Sequence, residues 1–80
     1  MMFRRESPKP TDLSEGSSFR RSRGADIIET AQVLKVTSDS AGIPHVRFSL
    51  RISGPSAVAE EQRTLALDWF RTLYREPISA

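Results

Sequence analysis

The chain has 80 residues, 12 of them Lys or Arg against 10 Asp or Glu, one histidine, no cysteine and a formal net charge of +2. That length allows one domain at most, and the missing thiols exclude a disulfide scaffold or a thiolate metal site. No apolar run approaches the ~20 residues that span a bilayer, and Met1–Pro8 is charged without an apolar stretch behind it, unlike a secretory signal. Cytoplasm is the expected location.

Residues 1–25 combine Pro8, Pro10, Gly16, Gly24, several serines and scattered charge. Only Phe3, Leu13 and Phe19 offer apolar anchorage, too little to offset backbone ordering. The segment reads as a disordered basic tail. Arg4, Arg5, Lys9, Arg20, Arg21 and Arg23 outnumber Glu6, Asp12 and Glu15 by three. The remainder has one more acidic than basic group, whereas a folded nucleic-acid-binding domain usually carries its positive charge on its own surface.

A small α+β domain is expected over residues 26–77. Ile27–Val36 is rich in β-branched residues, and Ser38-Asp39-Ser40-Ala41-Gly42 is a turn signal. Ile43–Ile52 then alternates strictly. Pro44, Val46, Phe48, Leu50 and Ile52 take one side, and His45, Arg47, Ser49 and Arg51 the other. The two runs form a hairpin. Pairing Thr37 with Ile43 sets Leu34 opposite Val46 and Gln32 opposite Phe48 on the apolar face. On the polar face it sets Lys35 opposite His45, Val33 opposite Arg47 and Glu29 opposite Arg51. This register leaves Ile27, Ala31 and Val33 on the polar face, so the strand carries a bulge or a partner covers that face.

Gly54-Pro55-Ser56 ends the hairpin. Residues 57–61 are ambiguous, and Arg63–Leu67 alternates again. Asp68 is suited to cap a helix, Trp69, Phe70 and Leu73 share a helical face, and Pro77 stops the helix. A third strand running into a helix of about seven residues is preferred over one helix across Glu60–Glu76, because a lone hairpin is marginal. The expected buried set is Leu34, Val46, Phe48, Leu50, Ile52, Leu65, Leu67, Trp69, Phe70 and Leu73. The order of hairpin, third strand and short terminal helix resembles part of the small SH3-like barrel modules over residues 26–76. The likeness is architectural, no family motif matches residue by residue, and architecture alone does not assign function.

No cofactor, metal or small-molecule substrate is expected. His45 stands alone, and zinc sites typically take three or four protein ligands. Glu60 and Glu61 diverge in a strand or a helix. No phosphate-cradling glycine loop or glycine-flanked nucleophile is present. An enzyme is therefore not expected. Candidate binding residues are the cationic row of His45, Arg47 and Arg51, with Lys35 beside it. Val33 joins them on the partly apolar second face, and Arg20, Arg21 and Arg23 in the tail. The expected function is a non-enzymatic interaction module that takes a protein partner or a second copy. The alternative is nucleic-acid binding through the row and the arginine-rich tail. No membrane association is expected.

Overall fold

The computed structural model describes residues 13–78. It holds one antiparallel sheet of five strands and one short helix. The strands are β1 (Ser18–Ser22), β2 (Ile28–Ser38), β3 (Pro44–Ser53), β4 (Val58–Ala66) and β5 (Glu76–Ile78), and the helix is α1 (Leu67–Leu73). Their order across the sheet is β4-β3-β2-β1-β5. The first four strands meander, and α1 carries the chain back so that β5 pairs with β1.

The β2–β3 hairpin is present, but its register differs from the expected one. Val33 lies opposite Phe48, Ala31 opposite Leu50 and Glu29 opposite Ile52. Leu34 is then an extra residue, a bulge, after which Lys35 pairs with Arg47 and Val36 with Val46. Before the bulge, odd-numbered residues of β2 face the core. After it, even-numbered ones do. The strand thereby turns Ala31, Val33 and Val36 all inward and gives up only Leu34, which is 37% exposed. A uniform register would have left the first two outside.

Order also begins earlier than Asp26. Ser18–Ser22 pairs with β2 from Gln32 to Ile28, setting Phe19 opposite Ala31. The turn that follows has Gly24, Ala25 and Asp26 all at positive φ, with Arg23 N–H donating to the Ile27 carbonyl at 2.9 Å. The reading of a tail through residue 25 is corrected for this stretch: one apolar side chain suffices when the neighbouring strand supplies the rest. For residues 1–12 that reading lies outside the described residues.

Residues 58–66 are strand, and α1 spans the expected seven residues. Its inward stripe is Leu67, Phe70 and Tyr74, with Leu73 packed alongside. Trp69, expected inside, sits about 100° around the helix from Phe70 and is 61% exposed. Asp68 occupies the first turn, while the N-cap is Ala66 and makes no side-chain cap bond. The helix lays its stripe on the inner sheet face. Phe70 meets Phe48 at 5.0 Å and Phe19 at 5.7 Å between ring centroids, and Tyr74 meets both Phe70 and Phe48. Edge-on aromatic contacts of this kind add stabilisation beyond the area they bury.

Candidate interaction surface

The outer sheet face is polar, and its cross-strand rows follow from the register. One row runs Glu60, Arg51, Thr30, Arg20, Glu76 across all five strands. The opposite charges in it pair. Arg51 lies 3.5 Å from Glu60, and Arg20 Nε lies 3.3 Å from Glu76. The expected Glu29–Arg51 pair is absent, because Glu29 faces the core.

The next cationic row is different. Lys35 and Arg47 are direct cross-strand partners. Arg47 donates to the Gln62 side-chain oxygen at 2.8 Å, and neither cation meets a carboxylate among the described residues. Like charges placed directly opposite each other are unfavourable. The bulge creates the juxtaposition. Were Leu34 paired rather than bulged, the upstream register would set Leu34 opposite Arg47 and Lys35 opposite Val46, on the inner face.

His45 closes the strip one step further along β3, opposite Thr37. Its Nδ1 is 3.0 Å from the Ile43 carbonyl and 4.0 Å from Asp39. Asp39 organises the hairpin turn. Its Oδ1 accepts from the backbone N–H groups of Ala41 and Ile43, each at 2.9 Å. The Ile43 bond is the main reason its carboxyl is held below the usual aspartate range.

The remaining candidates belong elsewhere. Val33 is 1% exposed within the core and offers no docking surface. Arg21 and Arg23 are drawn to Glu29, which is 2% exposed. Arg23 donates to Glu29 Oε2 at 2.9 Å, Arg21 approaches Oε1 at 3.8 Å, and the Tyr74 hydroxyl donates to Oε1 at 2.9 Å. Burial first, and then this bond to Glu29, push the Tyr74 phenol above its ordinary value. The cluster ties β1, β2 and α1 together at one end of the core. Its sequence signal was a carboxylate at an alternating position inside an apolar run, which is unusual without a partner.

No helix of the described residues is long and apolar enough to cross a membrane. Comparison with protein-family models, curated proteins and solved structures finds no match.

Proposed function

We propose that this domain is a small non-enzymatic interaction module that presents Lys35 and Arg47 to an acidic patch on a partner protein. The observation that carries the reading is the direct opposition of these two cations with no carboxylate paired to either among the described residues. Such a pair lowers stability in the free domain and is relieved when a partner brings negative charge. His45 flanks the strip. Arg51 and Arg20 extend it, each already sharing a carboxylate. The strand order, with β5 returning to β1 after a short helix, supports an SH3-like reading of the fold.

Nucleic acid is the second reading. It is favoured by Arg20, Lys35, Arg47 and Arg51 lying on one sheet face. It is opposed by Glu60 and Glu76 on that same face, and by the engagement of Arg21 and Arg23 with Glu29.

The test compares the full chain with a Lys35→Thr/Arg47→Thr variant in pull-downs with and without nuclease. The expected result is a protein partner that survives nuclease and is lost from the variant, while the variant melts no lower than the parent. Retention of the same partner by both proteins would sink the proposal. Binding that nuclease removes, and that weakens with salt by about one unit of slope per lost phosphate contact, would favour the second reading.

A further inference from the structure

Among the described residues the outer edge of β4 bonds to no other strand, and a free edge is a template for a further strand. Gly54 N–H donates to the Ala57 carbonyl at 2.9 Å. Residues 57, 59, 61, 63 and 65 therefore direct their backbone groups at β3. Residues 58, 60, 62, 64 and 66 direct theirs outward. The strand is exposed over most of its length, and Val58 is an exposed large apolar residue.

We propose that the domain forms a symmetric homodimer by antiparallel pairing of β4 with β4 of a second copy, the two-fold axis passing through Gln62. In this register Gln62 faces Gln62 of the second copy, Glu60 faces Thr64, and Val58 faces Ala66, all through outward backbone groups. Between them, Glu61 falls opposite Arg63 and Ala59 opposite Leu65. These are the closely spaced, non-hydrogen-bonded positions, where side chains across the seam interact most. Within one copy Glu61 and Arg63 already form an ion pair, so neither must be brought from afar. Sliding the strands by one step in either direction destroys the match. One slip sets Glu61 against Glu61 and the other sets Arg63 against Arg63. The strand is self-complementary in a single register.

Two further features fit the same geometry. Trp69, the exposed tryptophan, lies on the first turn of α1 immediately after β4. A shallow apolar groove of about 200 Å³, lined by Ile27, Ile52, Pro55, Ala57 and Ala59, opens at the other end of β4. Antiparallel pairing brings the Ala66 end of each copy to the Val58 end of the other. The indole of each copy then meets the groove of its partner, and two exposed apolar features cover each other. The Lys35–Arg47 strip lies one strand in from this seam, on β2 and β3, and borders it where Arg47 donates to Gln62; the backbone pairing of β4 does not require that strip to be occupied.

The experiment is sedimentation equilibrium on the full chain over a concentration series, read beside tryptophan emission. Trp69 is the single tryptophan, so its emission should shift to the blue as dimer forms. Glu61→Arg sets arginine against arginine twice across the seam and should weaken association roughly tenfold or more. Arg63→Glu should do the same. The double swap Glu61→Arg/Arg63→Glu restores opposite charges and should restore the dimer. Melting curves confirm that each variant is folded. A parent chain that stays monomeric throughout would overturn the proposal. So would single reversals that dimerise as well as the parent, or a folded double swap that fails to recover.

Discussion

Replacing Tyr74 with Phe isolates the buried end of the Glu29 cluster. The substitution keeps the ring, and with it the contacts to Phe48 and Phe70. It removes one hydroxyl that donates to Glu29 Oε1 at 2.9 Å. A hydrogen bond to a charged group contributes about 1.5–3 kcal/mol net. Among the described residues Oε1 then has only Arg21, at 3.8 Å, while Oε2 keeps Arg23 at 2.9 Å. The carboxylate is weakened on one side rather than orphaned, which places the expected loss near the middle of the range, about 2 kcal/mol. For a domain of this size each kcal/mol moves the melting temperature by about 4–8 °C, so Tm should fall by roughly 8–16 °C.

Arg23→Gln is the control. Its side chain is 51% exposed, so solvent screens the pair and the loss should stay below about 1 kcal/mol. The two changes share Glu29 and should be non-additive in a double-mutant cycle. Alkali adds a second signature. The Tyr74 phenol titrates above its ordinary 10.0 in the fold, so the unfolded chain releases that proton first. This stability is present below the unfolded value and is lost as pH rises through the folded one. The gap between parent and Tyr74→Phe should therefore narrow at alkaline pH. Thermal and urea melts measure all of this. A Tyr74→Phe protein that melts within about 2 °C of the parent, or one less affected than Arg23→Gln, would refute the role given to the hydroxyl.

Phe48→Ala removes a fully buried ring between Phe70 and Tyr74 and should cost ~3–5 kcal/mol, read by urea denaturation. Val33→Asp places a carboxylate beside Phe48 in the core and should unfold the domain outright, seen as loss of amide dispersion. A Val33→Asp protein that stays folded would contradict the register. The Ala41 and Ile43 amides should report Asp39 protonation by NMR with a midpoint below 3.8, because both donate to its carboxylate. Stability from this turn is present above the ordinary aspartate value and fades as pH falls through the depressed one.

What the sequence disclosed depended on how many faces each segment had to satisfy. Residues 44–52 of β3 alternate without exception, and their apolar side is the one buried. β2 carries apolar residues at both parities, since Ile28, Leu34 and Val36 compete with Ala31 and Val33. Alternation alone could not choose between them, and the bulge settles the conflict by changing parity once. The place of α1 was legible from its flanks, but its rotation was not. Trp69 and Phe70 are adjacent and both aromatic, and seven residues are too few for a helical period to decide which turns inward. β1 was hidden because Ser-Phe-Arg-Arg-Ser has one apolar residue, and what it packs on, Ala31 and Phe70, comes from elsewhere in the chain. β5 was hidden by Pro77, which read as a stop and is tolerated in an edge strand. Among the site residues, His45, Arg47 and Arg51 sit on the outer face as expected. Arg21 and Arg23 meet Glu29, a contact that was hidden because the expected register turned Glu29 to the outer face.

Leu34 links the core to the proposed site, and this can be tested directly. As a side chain it matters little. It is partly exposed, and Leu34→Thr should change stability by no more than about 0.5 kcal/mol. As an extra residue it changes the parity of β2 once. Deleting it closes the ladder: Lys35 then follows Val33 directly and stays opposite Arg47, and Val36 stays opposite Val46, so every inward residue keeps its face. What the deletion removes is the local bend and added twist of the bulge. The deletion variant should therefore fold and keep Lys35 opposite Arg47. Urea denaturation of parent, Leu34→Thr and the deletion compares the two roles. A deletion protein that is largely unfolded would show that the bend of the bulge, and not the parity of the pairing alone, holds the hairpin on its core.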